Sequence, residues 1–501
     1  MSERIVIAGA GIAGLAAAMA LARSDREILI LDRDGALPSG DADEVFLNWT
    51  RRGATQVRHS HVFLGRLVRL LRQRHPTLWS ALMSAGAREF CFGDALPLAL
   101  RDRYRRAEGD EDFSILFSRR TTLESVMRGY VAGLAGVRFV PDAFIRGLSI
   151  TQNAGRRTAE MLAVDVDGAP QTIGFDSLVD ATGRGGPFCG FLSAAGIDVP
   201  EDASPAGIIY FTRHYRFHPE ADEPTRDLAP RAGDLGYIKY GVFPADNRCF
   251  SITLACPEIE YDLRVALPRG DAFDRICALL PGCAPWTDPA RAAPVSKVYA
   301  MGNLKNAWRR FVKDGEPVVA NYYPVGDVAV RTNPLYGRGC STAFIQAFAL
   351  ADAFATSRDP AVRMRALDVA VARELRPFFD AMVRQDVAAV RRARHEQNPA
   401  YRPRLKARIM RSFVTDGIEP ATRGDLVVLR ALMRPFHMHE HPAAWTKRLS
   451  IMARVVWMWM LPRTMKRAFY PPSLGPSRAS LLAAVVSQAD AAGAADAPRA
   501  A

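Results

Sequence analysis

Apolar and polar positions along the chain first predict a β-α-β unit. Residues 4–8 form an apolar strand, residues 14–23 an alanine-rich helix, and residues 27–32 a second apolar strand that ends on an acid. Residues 177–181 are a further apolar strand, which we expect to rejoin the first sheet. Strands that alternate with helices in this way are typical of a parallel α/β core.

The middle and the end of the chain follow different patterns. Residues 318–325 predict another apolar strand and residues 340–355 an apolar helix, and from residue 360 to about residue 466 the pattern is helical. The Ala/Asp/Gly-rich residues 484–501 predict a disordered tail. Before these lie long strands rich in aromatic and β-branched residues, which predict an antiparallel sheet: 208–217, 236–243 and 248–256.

Composition is that of an ordinary globular protein. The 501 residues are 49% apolar and 24% charged, which excludes fibrous and wholly disordered classes. The seven cysteines are scattered without a C-x-x-C pair, which argues against a zinc ribbon or thiol redox centre and favours reduced thiols. The chain enters its first strand almost directly, so we expect no cleavable leader, and it has no apolar run long enough to span a bilayer. We therefore expect a cytoplasmic protein.

A glycine loop follows the first strand. Gly9, Gly11 and Gly14 fit the G-x-G-x-x-G pattern between a strand and a helix, and Asp32 closes the next strand. In this context Gly9 makes a tight turn, Gly11 admits a pyrophosphate, and Gly14 lets the helix approach the sheet. The helix N-terminus stabilises phosphate charge and Asp32 can bind a ribose hydroxyl. The predicted dinucleotide-contacting residues are Gly9, Gly11, Ile12, Ala13, Gly14, Asp32 and Arg33.

A second loop, far along the chain, indicates which dinucleotide binds. Gly326 and Asp327 end a strand, and a turn containing Pro334, Gly337 and Gly339 leads into a helix. The aspartate can accept a hydrogen bond from a ribityl hydroxyl group. The turn amides can face the pyrimidine edge of a flavin, and the helix N-terminus can stabilise the anionic reduced flavin. An extended FAD requires such a second site, whereas NAD does not, so the two loops together predict FAD.

Together the two motifs resemble those of the flavoprotein monooxygenases with the p-hydroxybenzoate hydroxylase fold. Squalene epoxidase, polyketide epoxidases, geranylgeranyl reductases and FAD-dependent halogenases share that fold, and the resemblance covers residues 1–355. It implies that Arg51 neutralises the FAD pyrophosphate and that Arg120 reaches the cofactor from the following helix. Thr121 and Glu124 fit a capping box that opens this helix.

The fold class we predict is α/β: a Rossmann-type FAD-binding domain with an inserted antiparallel β-sheet substrate domain and a C-terminal helical segment. Residues 1–186 and 311–356 make the FAD-binding domain, and residues 187–310 the substrate domain. Residues 357–470 make the C-terminal helical region.

The resemblance implies several chemistries. We expect a monooxygenase that inserts one atom of O2 into an apolar or aromatic small molecule through a C4a-hydroperoxyflavin, which needs no catalytic side chain of its own. A reductase of isoprenoid double bonds is the alternative. A halogenase needs a lysine early in the chain, whereas Lys239 is the first one here, and a non-redox FAD-binding scaffold does not need the second loop.

The source of electrons stays open at this point. Where the hydroxylases carry a Cys-Asp-Gly element, this chain has Asp-Ala-Thr-Gly-Arg-Gly-Gly-Pro at residues 180–187. Because the sequence has one loop of the G-x-G-x-x-G type, we expect either that NAD(P)H binds transiently or that a partner reductase delivers the electrons.

Candidate pocket residues come from the antiparallel sheet and from the segment after Arg51. The strand parity cannot be read from the pattern, and plain sheet packing or satisfied loop histidines are the competing interpretations. A third histidine group, His437, His439 and His441, lacks matched carboxylates or cysteines, so we expect a polar turn there and no metal. The pocket candidates are His59, His61, Tyr210, Arg213, His214 and Tyr240.

The net charge of +13 is concentrated near the C-terminus. Residues 390–470 contain 17 Lys and Arg against 5 Asp and Glu, an excess of 12. Within them, Trp445, Trp457 and Trp459 are interleaved with basic residues, as in a helix that lies at a membrane interface. We expect a peripheral contact with an anionic membrane, on its inner face, and no nucleic-acid partner. A helical cap that buries these tryptophans is the competing interpretation.

Overall fold

The computed structural model describes residues 2–225 and 230–485 of the chain. The helices are α1 (Ile12–Leu21), α2 (Ala42–Asn48), α3 (Gly65–Arg74), α4 (Pro76–Ser84), α5 (Leu98–Arg101), α6 (Arg120–Ala132), α7 (Phe188–Ala194), α8 (Tyr261–Ala266), α9 (Gly270–Leu279), α10 (Gly339–Thr356), α11 (Pro360–Gln397), α12 (Leu405–Ser412), α13 (Glu419–Gly424), α14 (Leu426–Phe436) and α15 (Leu449–Met460). The strands are β1 (Glu3–Ala8), β2 (Arg26–Leu31), β3 (Arg88–Phe90), β4 (Ile115–Phe117), β5 (Val137–Val140), β6 (Ala143–Asn153), β7 (Arg156–Val166), β8 (Ala169–Gly174), β9 (Ser177–Asp180), β10 (Glu201–Pro205), β11 (Ile208–Phe217), β12 (Ala232–Asp234), β13 (Lys239–Pro244), β14 (Cys249–Pro257), β15 (Ala292–Pro294), β16 (Tyr299–Met301), β17 (Lys305–Arg309), β18 (Val312–Lys313), β19 (Glu316–Pro317), β20 (Tyr322–Pro324) and β21 (Val330–Arg331).

A five-stranded parallel sheet forms the centre of the N-terminal half, in the order β20-β9-β1-β2-β5. In β1, Ile5 lies opposite Ile28 of β2 and Ser177 of β9, so the strand of residues 177–180 rejoins the first sheet. Both faces of the sheet are covered, which is why β1 is a continuous apolar run without alternation, with Ile5, Val6, Ile7 and Ala8 all buried. The α/β fold class with a Rossmann-type core is confirmed, although β20 is shorter than the strand predicted for residues 318–325.

Two helices, α1 and α10, pack together against this sheet. Because α1 is apolar on nearly every side, it can only be stable when buried, and eight of its residues are buried. Its neighbour α10 starts at the end of the second predicted loop. The packing therefore brings the N-terminal ends of both helices, and both glycine loops, to one side of the sheet.

An antiparallel sheet in the order β12-β13-β14-β11-β15 follows in the middle of the chain, and β16 also pairs with β11. In its centre Tyr210 of β11 lies opposite Ala255 of β14. Helices α8 and α9 pack on one face and bury a separate core of aromatic and aliphatic side chains. The other face turns toward the parallel-sheet region. The predicted inserted sheet is thus present, with β11 at its predicted bounds.

The C-terminal residues are helical, but as several helices. The 38-residue α11 ends before a segment containing Pro399 and Pro403, which cannot continue a helix. Asp425 caps α14 by accepting hydrogen bonds from the amides of Val427 and Val428. Across residues 2–225 and 230–485, no helix combines the length and apolarity needed to cross a bilayer.

The predicted tail, residues 484–501, falls mainly on residues 486–501, which lie outside the described part of the chain. Its start is described, and there Val485 is buried with Leu481 in the core beneath the antiparallel sheet. An apolar contact of this kind ties the chain to the sheet as far as residue 485.

Candidate active site

The loop between β1 and α1 has the geometry that close approach of a phosphate requires. Gly9 has a φ of +102°, and a Cβ there would lie 2.6 Å from the carbonyl oxygen of Ala181. A Cβ on Gly14 would lie 1.9 Å from the carbonyl oxygen of Gly9, whereas one on Gly11 would meet no atom nearer than 3.9 Å. Gly9 and Gly14 are therefore needed for packing, and Gly11 leaves open space at the N-terminus of α1, where amides can face a phosphate.

A buried arginine borders this space. The Arg51 guanidinium donates to Asp32 at 3.0 Å, to Asp34 at 2.9 Å, to Glu124 at 3.3 Å and to the carbonyl oxygen of Ala10 at 3.1 Å. Burial alone would lower the pKa of Arg51, but Glu124, Asp32 and Asp34 raise it above its ordinary value. Arg51 therefore stays charged, and the predicted phosphate-neutralising residue is held rigidly at the loop.

Two arginines, Arg51 and Arg128, contact the carboxylate of Asp32, the residue that is predicted to bind the ribose. Asp32, buried at the end of β2, accepts from Arg128 Nη1 at 2.6 Å on the same oxygen that Arg51 contacts. Its other oxygen receives a long backbone hydrogen bond of 3.3 Å, which leaves acceptor capacity for a ribose hydroxyl. Arg33 follows in the chain and is exposed. The role of Arg128, inside α6, was not predicted from the sequence, since nothing in the pattern separates it from a surface arginine.

Arg120 and Glu124 lie on the first turns of α6 and face inward. Arg120 Nη2 donates to Glu124 Oε1 at 2.9 Å, and Arg120 Nη1 lies 3.5 Å from Nε2 of His61. Glu124 is fully buried and also binds Arg51. The predicted capping box is wrong, because Thr121 is inside the helix and Glu124 pairs with two arginines instead. Arg120 lies beside Arg51 at the candidate site, and its contact with the cofactor stays a prediction.

The second loop packs directly on the first. Gly326 has a φ of +70°, and a Cβ there would lie 2.6 Å from Cβ of Ala13 in α1. Gly337 has a φ of +63°, and its Cβ would lie 2.9 Å from Val62. Pro334 opens an exposed turn, and a Cβ on Gly339 would meet no described atom within 4 Å. Two motifs that are far apart in the sequence thus form one continuous surface.

Asp327 lies in this surface among arginines. Burial raises the pKa of its carboxyl group, and Arg120, Arg331 and Arg184 oppose that shift. Among the described residues no hydrogen bond to its carboxylate is recorded. The carboxylate can therefore accept a hydrogen bond from a hydroxyl group, such as those of a ribityl chain.

A buried polar network, which the sequence did not reveal, holds the second loop in place. Asp386 of α11 accepts hydrogen bonds from Asn306 Nδ2 at 2.7 Å, Asn333 Nδ2 at 3.0 Å and Tyr336 Oη at 2.9 Å. Asn333 in turn accepts from Tyr210 Oη at 2.5 Å. Burial raises the pKa of Asp386, and these three donors oppose the shift. Helix, loop and sheet are joined through one carboxylate.

Four of the candidate residues lie on the antiparallel sheet, and their side chains point to its two opposite faces. Tyr210 and His214 lie on the face of β11 that looks toward the loops. Arg213 points to the opposite face and donates to Asp274 of α9 at 2.7 Å, and Tyr240 is buried in the core on that same face. The structure does not bring Arg213 and Tyr240 to the site, because side chains alternate along a strand.

The histidines after Arg51 pack on the loop-facing side of the sheet. His59 Nδ1 lies 3.0 Å from Thr212 Oγ1, and His61 Nδ1 lies 2.8 Å from the carbonyl oxygen of His59, so it carries a proton. Burial lowers the pKa of His59 to about 4, of His61 to about 3 and of His214 to about 4. All three are neutral at pH 7.

The third histidine group fastens the C-terminal region. His437 Nδ1 accepts from the amide of Gly65 at 2.9 Å, and His439 Nε2 lies 2.9 Å from the carbonyl oxygen of Asp112. In the described ranges, no group of three or more His, Cys, Asp or Glu is arranged to hold a metal ion. These histidines are structural links between α14 and the region around α3.

Comparison with known proteins shows which solved structures have a similar fold. A sequence model of the NAD(P)-binding Rossmann-like domain matches residues 7–65, and no curated protein sequence matches the chain. Three solved structures are similar over most of their length. A flavoprotein/dehydrogenase from Cytophaga hutchinsonii is 12% identical with a TM-score of 0.60, covering 92% of this chain and 99% of that one.

The flavin-dependent halogenase CmlS is 15% identical with a TM-score of 0.57, covering 91% of this chain and 77% of that one. PqsL from Pseudomonas aeruginosa, a probable FAD-dependent monooxygenase, is 16% identical with a TM-score of 0.56, covering 79% and 98%. The chain has the fold of these flavoproteins. At such identities the likeness concerns fold alone, so the chemistry has to be argued from the site.

Proposed function

We propose that the chain binds FAD and is a monooxygenase that inserts one oxygen atom of O2 into an apolar or aromatic small molecule. The observation that carries the proposal is the contact between the two glycine loops, where Gly326 packs on Ala13. This contact makes one extended cradle: the Gly11 space and Arg51 suit a pyrophosphate, and Asp327 suits a ribityl chain. When bound, FAD would supply the redox chemistry and the reaction with O2.

The side chains above the second loop favour oxygen insertion over double-bond reduction. A reductase has to protonate its substrate, which needs an acid with a pKa near neutrality. His59, His61 and His214 are neutral because burial holds the pKa of each at about 4 or below. Burial also raises the pKa of Tyr210 well above its ordinary value. These four side chains are uncharged at neutral pH, which suits an apolar substrate.

Halogenation is a weaker proposal, although a halogenase has a similar fold. The chain has no lysine before Lys239, which lines a depression beside Asn333 and Leu335 of the second loop. Its ammonium group pairs with Asp234, so it is not free to act on a halogen species. Reduction of isoprenoid double bonds remains the second candidate and is an outcome of the experiment below.

We infer that NAD(P)H binds transiently, or that a partner reductase supplies the electrons. One glycine loop of the first type is present in the sequence, and it belongs to the FAD cradle. We therefore expect the nicotinamide cofactor to bind without a second G-x-G-x-x-G loop. Oxygen uptake with NADH, NADPH or neither will show which donor is used.

FAD binding is tested at Gly11. The variant Gly11→Leu fills the open space and is expected to purify colourless, while Gly190→Leu, at another open position in α7, should keep the flavin. We expect the FAD to be bound non-covalently, so denatured wild type should release it. Wild-type protein that reconstitutes with NAD but not with FAD would contradict the proposal.

The reaction is tested by labelling. Flavin-loaded protein is screened with aromatic and terpenoid compounds for stimulated NAD(P)H oxidation, and the product is then made under ¹⁸O₂. We expect one labelled oxygen atom as an epoxide or hydroxyl group, and no turnover without oxygen. An unlabelled, saturated product formed in the absence of oxygen would establish the reductase instead.

A further inference from the structure

Two helices of the C-terminal region leave apolar side chains uncovered. In α12 no residue is buried, and Leu405 is 69% exposed, with Ile409 and Met410 about half exposed. On α15, Leu449 is 86% exposed and Trp457 63% exposed. Singly exposed apolar residues are ordinary, but neighbouring helices that expose them together mark an interaction surface.

The exposed side chains of α15 fall on one side of the helix. Leu449, Trp457 and Met460 follow helical spacing, while Ile451 and Val455 point the other way into the core with α13 and α14. The helix therefore has two apolar faces. One face is buried in the fold and the other is left for a second apolar medium.

The two helices belong to one region of the surface. Trp459 Nε1 donates to Ser412 Oγ at 3.1 Å, and its ring meets Phe413 edge-on with centroids 5.4 Å apart. The helical-cap interpretation therefore holds for Trp459, and Trp445 is half-buried, but neither contact covers Trp457. We call residues 405–414 and 449–460 the basic apolar face.

Unpaired cations lie beside the exposed apolar side chains of α12. Residues 402–411 contain five Lys and Arg and no Asp or Glu. Within the described ranges no ion pair is recorded for Lys406, Arg408 or Arg411. Several other arginines of the region are paired, as Arg448 is with Glu440 at 2.8 Å and Arg454 of α15 is with Asp425 at 2.7 Å. The three cations of α12 therefore lie beside exposed apolar side chains without a counter-charge.

We propose that the basic apolar face docks on an anionic lipid bilayer, with α12 and α15 lying in the interface. Trp and long aliphatic side chains enter the headgroup boundary, and Lys and Arg beside them are attracted to anionic headgroups. A second copy of the chain fits less well, because a twofold contact through this face would bring the same unpaired cations together. Nucleic acid would satisfy the cations but leave the apolar side chains exposed.

Docking is tested by co-sedimentation of the full chain with vesicles. One set contains phosphatidylglycerol and phosphatidylcholine in equal parts, and the other contains phosphatidylcholine alone. We expect binding to the anionic vesicles at low salt, weakened by high salt because exposed charges are screened. Binding should be roughly tenfold or more weaker to the neutral vesicles.

Variants separate the apolar from the charged contribution. Leu449→Ser/Trp457→Ser/Met460→Ser should lower vesicle partitioning by on the order of tenfold or more. Its matched control is Leu98→Ser/Tyr261→Ser/Val369→Ser, at three exposed apolar positions elsewhere. Arg408→Gln/Arg411→Gln should lower partitioning by roughly tenfold at low salt, and Arg103→Gln/Arg106→Gln, at exposed positions, should not.

Three outcomes would each overturn the proposal. Wild type that stays in solution with anionic vesicles at low salt does not dock. Equal losses in the face variants and in their controls would show that the face is not the contact. A wild-type dimer in light scattering that the triple variant converts to monomer would assign the face to a second copy. Circular dichroism establishes that each variant is folded before it is compared.

Discussion

Arginines in two regions of this protein behave in opposite ways. At the nucleotide loop Arg51 and Arg128 are buried and bound to carboxylates. On α12, Arg408 and Arg411 are exposed beside apolar side chains. A buried cation must be paired because solvation is lost, and the pairing holds it in one geometry. An exposed, unpaired cation has no fixed geometry but contributes an attractive field to whatever approaches.

The difference has a functional meaning. A cofactor site needs donors at set distances, which the buried cluster of three arginines and three carboxylates provides: Arg51, Arg120 and Arg128 with Asp32, Asp34 and Glu124. A surface that meets a fluid partner needs no set distances, only apolar area and charge of one sign. Both regions are rich in arginine, so composition alone does not separate them.

The largest effect is expected from removing the buried cation. Arg51→Met leaves three buried carboxylates without their shared partner and should lower the free energy of unfolding by about 3–5 kcal/mol. Arg408→Met, at the exposed position, should change it by less than about 0.5 kcal/mol. Urea unfolding of the FAD-free proteins measures both. Similar losses in the two variants would refute the contrast.

A second comparison uses two aspartates of α11. Asp386→Ala leaves three buried donors, on Asn306, Asn333 and Tyr336, without an acceptor and should cost about 2–3 kcal/mol in the free energy of unfolding. Asp380→Ala breaks a half-exposed pair with Arg376 and should cost less than about 1 kcal/mol. Urea unfolding is again the measurement. If Asp386→Ala is as mild as its control, the network does not hold the second loop.

Buried histidines extend the comparison to pH. Because burial lowers the pKa of His61 from 6.5 to about 3, the unfolded chain binds a proton there that the folded chain does not between these values. Stability therefore falls as pH drops below about 6.5, by roughly 2 kcal/mol for this residue at pH 5. In His61→Gln the loss of stability between pH 7 and pH 5 should be smaller by about that amount. The exposed control His218→Gln should behave as wild type, and an unchanged loss in both would contradict the assignment.

The smallest effect on stability is expected at the basic apolar face. Trp457→Ser should change the free energy of unfolding by less than about 0.5 kcal/mol, since the ring is mostly exposed. Ile451→Ala, on the buried side of the same helix, should cost about 2–5 kcal/mol. Thermal unfolding of the two variants provides the measurement. A large loss in Trp457→Ser would mean that the ring is covered within the fold.

Local sequence determined much of the framework by itself. The glycine loop, the strands of residues 3–8 and 26–31 and the long strand β11 follow from apolar runs and turn glycines, because these depend on neighbours in the chain. The second loop was found in the same way, since Gly326 and Gly337 do adopt positive φ angles. The division of the C-terminal region into short helices was not found, because helical spacing continues across the breaks.

Tertiary structure alone decided which side chains meet at the site. Strand parity turned Tyr210 and His214 toward the loops and Arg213 and Tyr240 away, and a shift of one residue would have reversed this. Glu124 matched a capping pattern, yet it pairs with Arg120 one turn earlier on α6 and with Arg51 from a distant segment. Asp386 has no local signal at all, because its three donors lie on β17 and on the second loop, which only packing brings to α11. The same holds for α15, whose two apolar faces are alike in sequence until the fold covers one of them.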